Sequence, residues 1–327
     1  MVFVKNRLTF ATTKQCELLS CDPLVYDATE DTTSQITIPI GGITGDDLKS
    51  WAVIEGQIWL IDGTSQQDTY SQVTLEPVWK LFARDHVWDG TTYTTKGEFI
   101  AHVIETEYIN QADRFYAYPY ITVTNADVGS SAVAFKAPAD EAGDIYSLAD
   151  YIADAVKVDN LGFSIGLTKD AMSITIRQKT GINDTVVFND GHTLYEGASF
   201  GEGSVGKVSV IQNGTTTDYY LNSNNEVVTT VPSPRVEGDW RLISIGDEDD
   251  PLEEAKEEFK DTIDSYKIEW GSDRIFNVGD NLRFKLPDGS THYGKVTYKA
   301  LKTSDGLYHY KSGSLKTTLT DKVRSVK

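Results

Sequence analysis

Three tight-turn signals near the C-terminus constrain the fold of this chain more than any other feature. Gly279-Asp280 precedes an alternating strand, Asp288-Gly289 separates that strand from a second one, and Asp305-Gly306 precedes a third. Glycine adopts backbone angles that other residues resist, and aspartate accepts hydrogen bonds within a turn. The segment therefore predicts a small β-barrel module that turns its corners at these pairs, and it contains no catalytic pattern.

The composition predicts a folded, mainly β protein with a few short helices, an α+β class. The 327 residues suffice for two domains, or three if they are small β-barrels. A hydrophobic fraction of 39% with 11% aromatic residues excludes wholesale disorder. Abundant Gly, Thr, Val, Ile and Tyr favour strands over helices.

The charge is strongly acidic but unevenly distributed. Formal net charge is -19, which argues against general nucleic-acid binding and against anionic membrane surfaces. The segment 274–327 contains 11 Lys and Arg against 4 Asp and Glu, a balance of +7, so the remaining residues carry -26. This asymmetry predicts contact between unlike surfaces, within the chain or between subunits. The alternative interpretation is a solvated barrel face.

Local patterns divide the chain into four predicted parts. Residues 1–90 are predicted to form an N-terminal β-barrel part. It includes a short strand at Leu8–Thr12 and a hairpin in Trp51–Ile61 that turns at Glu55-Gly56. Residues 91–190 are predicted to form an α+β region, and residues 191–246 are predicted to form a β insertion rich in Gly, Thr and Asn. An acidic helix and a small C-terminal β-barrel are predicted for 247–327.

Three helices are predicted from capping signals and apolar spacing. Thr95 and Glu98 form a capping-box pattern before a helix that continues towards Tyr108. A second helix is predicted for Ser147–Val156. A third is predicted near Pro251–Ser265, where Asp249 or Asp250 can act as the N-cap and proline suits the first turn.

The order of these patterns resembles the baseplate hub proteins of tailed phages and of related phage-tail-like particles. The Trp-rich hairpin leads into Leu75–Asp85, the second helix is followed by Leu161-Gly162-Phe163, and the acidic helix precedes Phe276–Asp280. The resemblance covers most of the chain, although each motif alone is common. The stretch 191–233 departs from the pattern and is interpreted as an insertion.

The resemblance implies a virion structural protein without enzymatic activity. Hubs of this kind contain several tail-tube-like β-barrel domains and form a ring, usually a homotrimer. The ring joins the tail tube or distal tail protein to the central spike or fibre, and DNA passes through it without specific binding. We therefore expect a location in the virion tail, after assembly in the host cytoplasm. Longer relatives carry a C-terminal hydrolase, which we do not expect here.

Candidate chemical groups are few, and no catalytic, cofactor-binding or metal-binding residue is assigned. The five histidines, none of which has a partner at metal-site spacing, are His86, His102, His192, His292 and His309. Gly201–Gly206 matches a dinucleotide-loop spacing, but no helix follows, so we interpret it as a flexible loop. The acidic run 247–250 lacks the pattern of a calcium loop and is interpreted as a helix cap.

Two further alternatives stay open at this stage. Trp88 and Tyr93 are expected to pack in the core, but as exposed rings they would stack on sugars, which would make the chain a receptor- or carbohydrate-binding tail protein. A cell-wall hydrolase is the third hypothesis.

Cys16 and Cys21 are either two buried thiols or a local disulfide. Neither a signal peptide nor a membrane span is visible, so we expect no membrane insertion.

Overall fold

The computed structural model of the protein is mainly β, as predicted. It describes residues 1–21, 24–28, 33–129, 132–179, 181–188, 190–200, 204–224, 226–233, 236, 238–302 and 304–313. Two compact units are present: the first comprises Met1–Lys179 with Tyr298–His309, and the second comprises Thr180–Thr297 with Tyr310–Lys327. The four-part division predicted from the sequence stays a prediction.

The helices and strands are numbered in chain order. The α-helices of the described ranges are α1 (Lys96–Ile104), α2 (Leu148–Val158) and α3 (Pro251–Asp264). The strands up to residue 179 are β1 (Val2–Lys5), β2 (Thr12–Cys16), β3 (Ser20–Cys21), β4 (Leu24–Ala28), β5 (Ser34–Pro39), β6 (Trp51–Ile54), β7 (Gln57–Gln66), β8 (Tyr70–Pro77), β9 (Asp85–Val87), β10 (Ile121–Asn125), β11 (Ile145–Ser147), β12 (Leu161–Leu167) and β13 (Met172–Gln178). The later strands are β14 (Asp184–Val187), β15 (Thr193–Phe200), β16 (Val205–Gln212), β17 (Thr215–Leu221), β18 (Val227–Val228), β19 (Asp239–Ser244), β20 (Tyr266–Ser272), β21 (Asn281–Lys285), β22 (Thr291–Leu301) and β23 (Tyr308–Ser312).

The main sheet of the first unit has seven strands in the order β2-β1-β6-β7-β8-β5-β3. The predicted hairpin joins β6 to β7, and both turn residues, Glu55 and Gly56, have positive φ angles. Buried and less buried side chains alternate along β5 and β8, so one face of the sheet points inward. On that face, aliphatic side chains from several strands form a cluster around the fully buried Trp59. The C-terminal Leu301 completes this cluster.

A layer of two helices and a three-stranded sheet, β10-β13-β12, completes the first unit. The predicted cap is confirmed: the Thr95 hydroxyl accepts a hydrogen bond from the Glu98 backbone N–H at 3.0 Å. The Glu98 carboxylate accepts from Thr94 N–H at 2.9 Å. A buried ion pair of 2.5 Å connects Lys96, at the start of α1, to Asp159, at the end of α2.

The second unit is organised around a sheet in the order β14-β21-β22-β23-β20-β15. All three turn signals of the C-terminal segment are confirmed, with positive φ angles at Gly279, Gly289 and Gly306. The aspartates act as predicted, since Asp280 accepts from Asn277 N–H at 2.8 Å and Asp305 accepts from Leu307 N–H at 3.0 Å. These hydrogen bonds fix the corners between the strands.

A four-stranded sheet, β18-β17-β16-β19, packs against α3 within the second unit. Asp250 caps α3 through its carboxylate, which accepts from Leu252 N–H at 2.9 Å, as predicted. Ala255 and Phe259 of α3 pack against the inward residues of β16 and β17. Strand β19 lies at one edge of the sheet, parallel to β16.

Two local predictions are wrong. The segment Leu8–Thr12 is a turn up to β2, because the Asn6 side chain accepts from Leu8 N–H and Thr9 N–H and because Phe10, which is buried, has a φ of 58°. The predicted loop Gly201–Gly206 includes the start of β16, where a Cβ on Gly206 would lie 2.7 Å from the Gly238 nitrogen. Glycine there permits close backbone approach rather than flexibility; residues 201–203 lie outside the described ranges.

Candidate functional site

Four of the residues named from the sequence meet in one cavity of the first unit. The cavity has a volume of about 510 Å³, and His86, Trp88, Tyr93 and His102 line it. One wall is α1 and the turn that follows it, and the other is β9 with the segment after it. A cavity of this size lies within the range of small-molecule sites in proteins.

Strand pairing and helix capping position the cavity walls. Antiparallel pairing of β9 with β11 places Tyr146 directly opposite His86. The cap at Thr95 and the ion pair at Lys96 fix the start of α1. They thereby fix the position of His102, which lies on α1 in the cavity wall that faces β9. The site is therefore built on regular secondary structure, which holds side chains more precisely than loops do.

Aromatic rings form the base of the cavity. Phe99 of α1 is buried and packs against Tyr93 at a centroid distance of 5.4 Å and against Tyr146 at 5.8 Å. The ring of Tyr93 also lies 5.3 Å from that of His102. Tyr93 and Trp88 are both half-buried, so the predicted core packing holds for each of them only in part.

His86 is the most deeply buried of the cavity histidines. Its Nε2 lies 2.7 Å from the Tyr108 hydroxyl, and its ring lies 5.6 Å from the ring of Tyr146. Burial lowers the pKa of His86 from its ordinary value, and the nearby Arg84 guanidinium lowers it further. The imidazole is therefore neutral at neutral pH, with one nitrogen able to donate and the other able to accept a hydrogen bond.

The charged groups at the cavity rim are already engaged with neighbours. The Arg84 guanidinium donates to the Glu107 carbonyl at 3.1 Å and to its carboxylate at 3.2 Å. The Asp89 carboxylate accepts from Thr91 N–H at 2.8 Å, and this hydrogen bond holds the pKa of Asp89 below its ordinary value. Arg84, Glu107 and Asp89 thus each contact a neighbouring group, and Asp85 adds a further negative charge to the lining.

The remaining histidines lie apart from the cavity. His192 is exposed and lies 2.9 Å from Asp273, which raises the pKa of His192. His292 packs against the rings of Phe200 and Tyr266, and burial lowers its pKa to about 4. His309 contacts Asp305 at 2.9 Å. Within the described ranges, no three His, Cys, Asp or Glu side chains are placed to hold a metal ion.

The other candidates have structural roles where the structure describes them. Cys16 and Cys21 form no disulfide with each other, which decides between the two alternatives; Cys21 is buried and Cys16 is half-buried. In the acidic run, the Asp249 carboxylate accepts from Gly246 N–H at 2.7 Å, next to the Asp250 cap. None of the helices in the described residues is long and apolar enough to cross a bilayer.

The basic C-terminal segment uses part of its charge within the chain. The guanidinium of Arg274 pairs with Asp184, and Lys311 lies 3.6 Å from Glu269. Lys295 is buried, with an exposed fraction of 1%. Residues 314–327, with several of the basic residues, lie outside the described ranges.

Sequence reasoning missed Tyr146 and Glu107 as cavity residues. Tyr146 reaches the site only through the pairing of β11 with β9, which are about sixty residues apart in the sequence. Glu107 lies in a π-helical turn, Glu105–Ile109, which widens the helix at its end. Neither strand pairing at this distance nor a π turn has a reliable local signal.

Comparison with known proteins identifies the fold class. The chain is similar in structure to the prophage tail protein gp18 from Listeria monocytogenes EGD-e, with a TM-score of 0.58 and 9% sequence identity over 99% of this chain and 98% of that one. It is also similar to the 43 kDa tail protein of prophage MuSo2 from Shewanella oneidensis, with a TM-score of 0.50 and 13% identity over 96% and 97% of the two chains. A tail protein from Neisseria meningitidis MC58 gives a TM-score of 0.48 at 10% identity over 96% of each chain.

The resemblance to phage tail proteins stated from the sequence is confirmed at the level of the fold. The chain has the fold of solved phage tail proteins, and the similarity extends over nearly its whole length. No protein-family model matches the chain. No curated protein sequence matches it significantly.

Proposed function

We propose that this chain is a structural protein of a phage tail, and specifically the hub that joins the tail tube to the central spike or fibre. The observation that carries the proposal is the fold similarity to a prophage tail protein across 99% of the chain. A match of this extent covers both compact units together rather than one common module. Fold alone does not define function, so the physical properties of the surface have to agree.

Exposed apolar side chains on edge strands support a role in assembly. Leu194 and Phe200 lie on β15, at one end of its sheet, with exposed fractions of 52% and 56%. Trp240 and Leu242 lie on β19, at the end of the four-stranded sheet, and are 66% and 60% exposed. Exposed apolar groups beside unpaired strand edges are typical of surfaces that a neighbouring subunit covers.

The acidic balance supports a channel through which DNA passes. A wall rich in carboxylates repels phosphate groups, so a passing duplex would not adhere to it. The net charge of -26 outside the C-terminal segment provides such a wall if the acidic residues face the lumen of a ring. A homotrimeric ring of this kind joins unlike patches on successive subunits.

Electron microscopy of the purified chain and of the particle tests the proposal. We expect a threefold ring with a central pore, and we expect antibodies or a tag to place the chain between the tube and the spike. The double substitution Trp240→Glu and Leu242→Glu should break the ring while the monomer stays folded. Val231→Glu is the matched control, since Val231 is 63% exposed but lies outside the strands. A chain that stays monomeric and never enters particles would contradict the proposal.

A further inference from the structure

The cavity of the first unit has two buried polar side chains whose hydrogen-bonding capacity is not used within the protein. Tyr146 is 91% buried, with an exposed fraction of 9%, and its hydroxyl makes no hydrogen bond to any described residue. His86 is 7% exposed and uses Nε2 towards Tyr108, while none of the described residues bonds its Nδ1. Because both residues line the cavity, these two atoms are available to a molecule that enters it.

We propose that this cavity binds one or two residues of a neutral glycan. Sugars present hydroxyl groups that both donate and accept hydrogen bonds, together with a C–H face that packs on aromatic rings. The cavity offers both features, since it combines the rings of Trp88, Tyr93 and Tyr146 with the polar groups of His86, His102 and Gln111. This binding site is independent of the hub role proposed above.

Trp88 is the ring best placed to stack against a sugar. It is half-exposed, and its indole N–H donates to the Thr91 carbonyl at 3.3 Å, which fixes the ring at the cavity edge. The Asp89 carboxylate stabilises the same turn by accepting from Thr91 N–H. A ring held in place before binding loses little conformational entropy when a ligand arrives.

The charges around the cavity disfavour an anionic ligand. Arg84 already contacts the Glu107 carboxylate, and the Gln111 amide donates to the same carboxylate at 3.4 Å. With Asp85 and Asp89 also at the rim, the lining carries more acidic than basic groups, which disfavours phosphate or another anion.

Binding of defined neutral oligosaccharides to the full chain tests this proposal. The probes are short oligomers of N-acetylhexosamine and of neutral hexose, measured by glycan array and then by isothermal titration at two salt concentrations. We expect one probe class to bind, with an affinity that changes less than twofold between low and high salt. Failure of every neutral probe to bind, or binding that weakens strongly with salt, would overturn the proposal.

Matched variants separate binding from folding. Trp88→Ala should weaken binding at least tenfold by removing the stacking surface. Tyr146→Phe removes only the hydroxyl and should weaken binding about five- to tenfold, consistent with the loss of one hydrogen bond. Trp240→Ala, an exposed tryptophan of the second unit, should bind as the unaltered chain does. If Trp88→Ala and Tyr146→Phe both retain full affinity, the cavity is not the site and the proposal fails.

Discussion

The two units enclose a buried tryptophan in their main sheets in different ways. In the first unit, Trp59 lies among aliphatic side chains and its indole N–H donates to the Val25 carbonyl at 2.5 Å. In the second, Trp270 packs against the rings of Phe276, Phe284 and Tyr310. No described residue accepts a hydrogen bond from the Trp270 indole N–H.

Buried polar groups follow the same contrast between the units. The first unit holds the Lys96 ammonium against the Asp159 carboxylate, with both side chains almost fully buried. In the second, the Nε2 of His292 is buried and no described residue bonds it. At these positions the first unit holds a buried charge with a specific polar partner, whereas the second relies on ring packing around a buried polar atom that has no described partner.

Breaking the buried ion pair should have the largest effect. Lys96→Met leaves the Asp159 carboxylate buried without its cation, and we expect a loss of about 3–5 kcal/mol in the free energy of unfolding. Urea denaturation measures this loss in the free energy of unfolding. Lys260→Met is the control in the second unit, because the Lys260–Glu257 pair is a local i,i+3 pair that stays partly exposed and contributes less than about 1 kcal/mol. Equal losses in the two variants would refute the contrast between the units.

The tryptophans provide a direct comparison of the two cores. Trp59→Phe leaves a cavity and removes the donor to Val25, so we expect a loss of about 2–4 kcal/mol. Trp270→Phe also leaves a cavity but removes an unpaired N–H, so the loss should be only about 1–2 kcal/mol. Urea unfolding followed by circular dichroism avoids reliance on tryptophan fluorescence. A larger loss for Trp270→Phe would reverse the interpretation.

Acid should destabilise the second unit through His292. Its pKa is about 4 in the folded chain, below the ordinary 6.5, so the unfolded chain binds the proton more readily. Its contribution to stability is therefore complete above pH 6.5 and is lost as the pH falls towards 4. We expect His292→Phe to remove about 2 kcal/mol of the difference in unfolding free energy between pH 8 and pH 5.

The control for this experiment is His192→Gln. His192 is exposed, and its pKa is raised rather than lowered by Asp273, so its removal should not reduce the acid sensitivity. Unfolding curves of the three chains at closely spaced pH values measure the effect. An unchanged pH dependence in His292→Phe would show that this imidazole is hydrated in the folded chain.

Removing a helix cap should have the smallest effect on the free energy of unfolding, and the effect should be equal in both units. Thr95→Ala removes the acceptor for Glu98 N–H, and Asp250→Ala removes the acceptor for Leu252 N–H. We expect each to lower the unfolding free energy by about 1 kcal/mol, because capping is a local interaction. Thr95→Ser and Asp250→Asn should keep most of the stability. Strongly unequal losses would show that tertiary packing dominates one cap.

Local chemistry made much of the fold predictable. The positive φ angles at Gly279, Gly289 and Gly306, and the caps at Thr95 and Asp250, follow from residue types within a few positions of each other. The short strand predicted at Leu8–Thr12 failed because the apolar Phe10 enters the core from a left-handed turn instead of a strand. Hydrophobicity showed that the residue is buried but not how its backbone turns.

The cavity was less accessible to sequence reasoning. The sequence leaves two uses open for Trp88 and Tyr93, packing in the core or stacking on sugars. Their meeting with Tyr146 depends on strand pairing across about sixty residues, and the Phe99–Tyr146 contact depends on the packing of α1. Such contacts between distant segments are set by the whole fold rather than by any local pattern.

The return of residues Tyr298–His309 to the first unit has a consequence for biosynthesis. Leu301 joins the aliphatic cluster built by the N-terminal strands, and β22 pairs there with β4. A ribosome must therefore translate the chain as far as this segment before the first unit can close. Polypeptides terminated before this segment would leave apolar surface open to proteases, so protein quality control would remove them.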